Sequence, residues 1–282
     1  MHILITDSGV GGLSVVAYAE RFVRTNGYRE PVRLTFANAA PANDYGYNSM
    51  PTHAAKIETF DRFLTNVTKR FAPDFIYVAC NTLSVLLPDV PKPRVPIKGI
   101  VETGVELILR ELDPRAAVII FATQTTIDSG VYPRSLQSRG VDASRIINQA
   151  CPGLADVISE DREGSKTRAE IKRWVGAAIE KLDDAPPVVA CLACTHYGYR
   201  KDLFSGALAD GGACAKVINP NERAVGDLFD SSGGRHRQVE VQFVTRYAIP
   251  PATIEALTFF LQEISPKTVH AMQNFVHAPD LF

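Results

Sequence analysis

Two cysteines in this chain stand where a thiolate would be useful. Cys80 and Cys194 each close a hydrophobic run with the same Ala-Cys-polar step, Val78-Ala-Cys-Asn-Thr82 and Leu192-Ala-Cys-Thr-His196. A free thiol ionises at about pH 8.5, and a helix N-terminus or a protonated histidine lowers that value. Both settings are available here, and the flanking hydroxyl and amide groups could hold a carboxylate. Either cysteine alone reads as a small buried hydrophobe; two in matched settings point to chemistry. Ahead of them comes Thr6-Asp-Ser-Gly-Val-Gly-Gly-Leu-Ser14, directly after a strand-like segment. Its glycines permit a tight turn that leaves amide N–H groups bare at a helix start, a geometry suited to anions. Asp7 either caps that helix or serves a ligand, orienting an ammonium group or helping to manage a proton.

Neighbouring patterns are less telling. Gly9, Gly11 and Gly12 do not fit the spacing of a dinucleotide fingerprint, and no Lys-Ser/Thr follows as in a phosphate-binding loop. Cys191-x-x-Cys194 with His196 invites a metal or thioredoxin reading. Residues three apart in a strand point to opposite faces, and no second Cys/His pair completes four zinc ligands, so no metal is expected. Cys191, Cys151 and Cys214 read as core. The turn-rich stretch from Phe36 to Ser49 carries Tyr45-Gly46, which could present backbone amides and a phenol to a ligand or simply turn the chain. Ala122-Thr-Gln-Thr-Thr126 sits at another strand end, followed by Ser129-Gly-Val-Tyr132.

The elements that must position these residues are legible as an alternation. Strands are expected at His2–Thr6, Val32–Phe36, Asp74–Ala79, Ile97–Val101, Ala117–Ala122, Ser144–Asn148, Pro187–Ala193, Lys216–Ile218 and Val239–Val244. Several are near-continuous Val/Ile/Phe runs, as parallel strands covered on both faces require. Between them Ile57, Phe60, Leu64, Val67 and Phe71 trace one helical stripe. Arg168–Leu182 and Pro251–Ile264 also read as helices, the second opened by proline. The alternation predicts a doubly wound α/β fold with right-handed crossovers. The proline-rich run Pro88–Pro96 reads as a linker, with further breaks near Ala209–Gly212 and Asp230–Arg237. Two lobes are expected, the first from residues 1–96 plus 209–282 with Asp7 and Cys80, the second from 97–208 with Cys194.

Composition excludes several classes. The 282 residues are 46% hydrophobic and 22% charged, so the chain can bury a core and is not globally disordered. Lys+Arg 30 against Asp+Glu 31 gives no electrostatic case for a nucleic-acid partner. The longest apolar runs, Ala116–Ala122 and Val188–Cys194, are seven residues, too short to cross a bilayer. With no signal peptide read at Met1-His2, a cytoplasmic location is expected, and five cysteines, an odd count, are expected to stay reduced.

Taken in order, Asp7-Ser-Gly-Val-Gly-Gly12, Tyr45-Gly46, Ala79-Cys-Asn-Thr82, Ala122-Thr-x-Thr-Thr126 with Ser129-Gly-x-Tyr132, and Cys194-Thr-His196 resemble the glutamate racemases of the aspartate/glutamate racemase superfamily. The resemblance runs from Ile3 to about Tyr197. It implies two pseudosymmetric doubly wound α/β lobes with mainly parallel sheets and the site between them. It also implies racemisation without a cofactor, with D-glutamate supplied to peptidoglycan in the cell wall. Cys80 would exchange the Cα proton of the D-enantiomer and Cys194 that of the L-enantiomer, assisted by Asp7 and His196 respectively. Ser8, Tyr45, Gly46, Asn81, Thr82, Thr123 and Thr195 would bind the substrate. The family often forms dimers, which leaves a homodimer open, while the sequence itself does not give the oligomeric state.

The chain departs from the family pattern in the pocket. Ala39 and Ala42 stand where an acidic residue and an arginine are usual, and Asp44 replaces a proline. Gly198 follows Tyr197 in place of proline, Ser159 takes the position of an acid with Glu160 adjacent, and Asn219-Pro-Asn221 replaces a late Asp-Ser pair. A carboxylate from Asp44 near a substrate γ-carboxylate would be repulsive in a dry pocket. Aspartate or a hydantoin therefore stays open as substrate. So do a non-catalytic homologue that binds an acidic metabolite or a protein partner, and a phosphate- or nucleotide-binding protein using the glycine turn.

Overall fold

A computed structural model of the chain describes residues 1–43, 45–91, 93–183, 186–229 and 233–282. Asp44, Lys92 of the proline-rich run and the first part of the polar stretch from Asp230 lie outside the described residues. The strands are β1 (His2–Asp7), β2 (Val32–Asn38), β3 (Phe75–Val78), β4 (Ile97–Gly99), β5 (Ala117–Ala122), β6 (Ile146–Ala150), β7 (Val188–Ala193), β8 (Ala215–Ile218), β9 (Val239–Thr245) and β10 (Val276–His277). They form two sheets, one ordered β10-β9-β2-β1-β3-β4 and the other β6-β5-β7-β8. Every pairing within them is parallel. The α/β class and the two parallel sheets are as the sequence predicts.

Helices cover both faces of each sheet, which is why the strands read as unbroken apolar runs. They are α1 (Leu13–Asn26), α2 (His53–Phe71), α3 (Asn81–Ser84), α4 (Ile100–Glu111), α5 (Gln124–Asp128), α6 (Val131–Gln137) and α7 (Leu154–Glu160). The chain continues through α8 (Ser165–Ile179), α9 (Lys201–Asp210), α10 (Pro220–Arg223), α11 (Val225–Leu228), α12 (Pro251–Leu261) and α13 (Pro266–Gln273). In β1, Ile3 and Ile5 pack into one core and Leu4 into another. In β5, Ile119 and Phe121 likewise face one core while Val118 and Ile120 face a second. The predicted stripe on α2 buries Phe60, Leu64 and Val67, and the Thr52 hydroxyl caps the helix by accepting the Ala55 N–H at 3.1 Å.

Three expectations are corrected. Ile97–Val101 is a strand only to Gly99; Ile100 and Val101 begin α4. Cys214 is exposed, whereas Cys151 and Cys191 are buried. The strand pairings also run across the expected lobe limits. β4 pairs with β3 in the first sheet, and β8 pairs with β7 in the second. The chain therefore passes to the second sheet through α4, not through the proline-rich run, and returns after β8. Among the described residues no helix is long and apolar enough to cross a membrane.

Each sheet has one place where the winding reverses. In the first sheet β1 pairs with β2 on one side and β3 on the other. In the second, β5 pairs with β6 on one side and β7 on the other. Adjacent connections leave such a strand pair in opposite directions, opening a crevice at their C-terminal ends where α/β proteins bind ligands. Asp7, Cys80, Thr123 and Cys194 stand at the ends of β1, β3, β5 and β7. The chemistry-bearing motifs thus fall at both reversals.

Candidate active site

A cavity of about 380 Å³ joins the two reversals, the size of a small-metabolite pocket. Cys80, Cys194, Asp7, His196, Ser8, Gly46, Asn81, Thr82, Thr123 and Thr195 all line it. Tyr45 does not; it is 44% exposed. The 3-10 turn Tyr47–Ser49 begins just after Gly46 and carries Tyr47 inward, so that its ring meets Phe60 edge-on at 6.2 Å. Tyr47 lines the cavity, and its hydroxyl is buried with no partner among the described residues.

The cysteines occupy related but unequal settings. Cys80 leads into α3, and its Sγ lies 3.1 Å from Ser8 Oγ. Burial pushes its thiol well above the ordinary range and the Asp7 carboxylate adds to this; hydrogen bonds from Ser8 and the Leu83 backbone pull the other way. Cys194 leaves β7 with its Sγ 4.0 Å from His196 Nδ1. Its thiol is likewise pushed up by burial, opposed by backbone N–H groups of His196 and Tyr197. Burial lowers the basicity of His196, against the carboxylates of Asp7 and Asp156, so the imidazole beside Cys194 is held toward its neutral form. Cys191 faces the opposite side of β7 from Cys194, as strand alternation requires, so the Cys-x-x-Cys pair cannot share a metal or a disulfide.

Buried hydrogen bonds beside the cavity tie the loops of the two sheets together. Thr195 Oγ1 donates to Asp7 Oδ2 at 2.7 Å, and the Gly12 N–H donates to the same oxygen. Asp7 thus secures the glycine turn and touches the site. Tyr199 donates to the Gly11 carbonyl at 3.1 Å, and Asn221 Nδ2 donates to the Thr195 carbonyl at 2.8 Å and to Ser14 Oγ at 2.9 Å. Thr82 and Thr123 hydroxyls meet at 2.8 Å. The contact between the two sheets' loops explains Gly11. A Cβ on Gly11 would lie 2.4 Å from Thr195 Oγ1 and 2.6 Å from His196 Nδ1. Gly198 is required by close packing within the second lobe, since a Cβ there would lie 2.4 Å from Asn219 Nδ2.

Other walls come from places the sequence signals only in part: Glu160 stands out beside Ser159, whereas Asp156, Tyr247 and Thr253 do not. Asp156 and Glu160, four residues apart on α7, line the cavity on either side of Ser159. Their i, i+4 spacing is plain in the sequence; the approach of Asp156 to His196 is not. Tyr247 and Thr253 arrive from the far end of the chain, and Tyr247 accepts a hydrogen bond from Asn38 at 3.1 Å. Ala42 lines the cavity, whereas Ala39 is buried behind it. Among the described lining residues the charged side chains are Asp7, Asp156, Glu160 and, when protonated, His196; none is Lys or Arg. A substrate ammonium is favoured here, and a carboxylate must be met by hydroxyls, amides and backbone N–H groups.

Two parallel sheets each bring a thiol to a shared cavity, and comparison with known proteins places the chain among isomerases of the racemase class. The model of the Asp/Glu/hydantoin racemase family matches residues 23–224. A glutamate racemase of Aquifex pyrophilus is 31% identical over 225 residues, covering 79% of this chain and 80% of that protein. One of Jannaschia sp. (strain CCS1) is 29% identical over 285 residues, covering 93% and 97%. Among solved structures, a glutamate racemase isoform of Bacillus anthracis superposes with a TM-score of 0.72 at 20% identity, covering 92% of this chain and 93% of that one. The glutamate racemase of Francisella tularensis in complex with D-glutamate gives 0.67 at 21%, with the same coverages. The chain belongs to the Asp/Glu/hydantoin racemase family.

Proposed function

We propose that this racemase interconverts L- and D-glutamate without a cofactor, passing the Cα proton between Cys80 and Cys194. The observation that carries this reading is that the two buried thiols, borne by different sheets, line one small cavity. With L-glutamate bound, the Cys194 thiolate takes the Cα proton and becomes a thiol. The electron pair left on Cα then takes the proton of the Cys80 thiol from the opposite face, and Cys80 becomes the thiolate. The reverse direction exchanges the roles. Two groups are needed because one acid cannot reach both faces of the carbon.

The raised thiol affinities suit this task. A thiol that holds its proton tightly yields a stronger base once ionised, and Cα is a very weak acid. His196 would take the Cys194 proton and Asp7 the Cys80 proton as each thiolate forms. The substrate ammonium entering beside Asp7 and Asp156 compensates the new negative charge. Ser8, Asn81, Thr82, Thr123 and Thr195 would hold the amino and α-carboxylate groups, and their hydrogen bonds stabilise charge developing on the carboxylate in the transition state. Gly46 and the Tyr47–Ser49 turn face the remaining wall, where a side-chain carboxylate would meet neutral donors. A cytoplasmic location, expected from the sequence, belongs to the same reading, with D-glutamate serving peptidoglycan synthesis.

Solvent deuterium exchange at Cα across a panel of amino acids tests the proposal without presuming the substrate. Both enantiomers of glutamate are expected to lose their Cα–H signal in D2O with enzyme alone. Exchange confined to aspartate or a hydantoin would overturn the substrate. Exchange with none of them would overturn the reaction.

A further inference from the structure

The Ser129-Gly-Val-Tyr132 segment has so far no part in the site, yet its tyrosine reaches it. Tyr132 stands on α6, packed beneath the second sheet, and is 1% exposed. Its hydroxyl donates to Asn81 Oδ1 at 2.7 Å, crossing from the second sheet's helices to the end of β3 in the first. The phenol is seated tightly: a Cβ on Gly104 of α4 would lie 2.4 Å from it. Asn81 is 2% exposed and lines the cavity, and its Nδ2 has no partner among the described residues. One end of the amide is therefore held from behind, while the other is a buried donor beside the cavity.

We infer that Tyr132 is a positioning residue, whose hydroxyl fixes the Asn81 amide so that Nδ2 is the end offered to a carboxylate oxygen of the substrate. The inference rests on the racemase reading above. A side-chain amide has nearly the same shape in either flip, so only its partners determine which end faces the ligand. Burial pushes the Tyr132 phenol well above its usual range, so it stays protonated and needs an acceptor. Asn81 Oδ1 is that acceptor. The reversed amide would leave the phenol proton unpaired and turn a carbonyl oxygen toward the substrate carboxylate.

A double-mutant cycle separates this role from simple packing. Cα-proton exchange and racemisation of glutamate are measured in the wild type, Tyr132→Phe, Asn81→Ala and the double variant, with thermal unfolding of each. Tyr132→Phe is expected to lower kcat/KM about tenfold, the size of one orienting hydrogen bond, with the melting temperature little changed. In the Asn81→Ala background the same change is expected to cost nothing further, because the group it orients is gone. Losses that multiply, or a Tyr132→Phe enzyme with wild-type kinetics, would overturn the inference. If Tyr132→Phe fails to fold, Gly104→Ala, which displaces the phenol without deleting it, must show the same tenfold loss and the same non-additivity, or the inference falls. A folded wild type that exchanges no proton with glutamate would overturn the racemase reading and this inference with it. An active wild type with an additive cycle overturns the inference alone.

Discussion

Replacing Cys80 or Cys194 with alanine is expected to lower kcat/KM for racemisation about 1,000-fold or more, within the range spanned by loss of a positioned acid or base. The factor must be the same from L to D as from D to L. Enantiomers are equal in energy, so the equilibrium constant is one and the two kcat/KM values of any variant must be equal; loss of one thiol cannot spare one direction. Alanine leaves only a small void at each buried site, costing about 1 kcal/mol of stability or little more, so both variants stay folded. Cys191→Ala is the matched control. It removes a buried thiol from the same strand, β7, but from the face away from the cavity, and its activity is expected to stay within about twofold of wild type. Circular dichroism of the substrate pool reads all three. A Cys80 or Cys194 variant retaining a tenth of wild-type turnover would remove that residue from the proton path.

Asp7→Asn carries the second large effect, about 100-fold in kcat. The asparagine carbonyl can still accept from the Gly12 N–H and the Thr195 hydroxyl, so the turn and the contact between the sheets survive. What disappears is the group able to take the Cys80 proton. The same substitution acts oppositely on the resting thiols. Asp7 contributes to raising both of them, so removing its charge makes each thiolate easier to form. Alkylation of the folded protein by iodoacetamide is therefore expected to quicken while racemisation slows. Parallel changes in the two would indicate a general loss of structure, and unchanged racemisation would exclude Asp7 from proton handling.

Much of this site is legible in the sequence because parallel sheets place their chemistry regularly. The strands at β1, β3, β5 and β7 are largely apolar runs, and Asp7, Cys80, Thr123 and Cys194, which open the functional motifs, stand at their last position or within two residues of it. The glycine turn and both cysteines are legible from that placement, and the binding role of the threonines follows from the family resemblance. What escaped depends on contacts made at a distance. Tyr47 and Tyr45 differ only in how a short 3-10 turn faces them, and the turn-rich composition of that loop does not encode it. Asp156, Tyr247 and Thr253 enter the cavity because α7, the segment before α12 and the first turn of α12 pack over it, which no local pattern signals. Ile97–Val101 misled because a short apolar run suits a strand and a helix start equally; Gly99, with extended backbone at the helix N-cap, is where the two meet. The two-residue β10 is too short to show alternation, and the placement of β8 in the second sheet follows from tertiary pairing alone.

The central claim is that separate thiols serve the two faces of Cα, and the fate of the hydrogen during the first conversion tests it most directly. L-glutamate is converted in D2O while the Cα label in each enantiomer is followed by NMR after chiral separation. If Cys194 removes the hydrogen and Cys80 supplies a solvent-derived one, the first D-glutamate formed carries deuterium at Cα while the unreacted L pool keeps its hydrogen. D-glutamate that retains the original hydrogen, or deuterium entering the L pool as fast as product appears, would contradict the account.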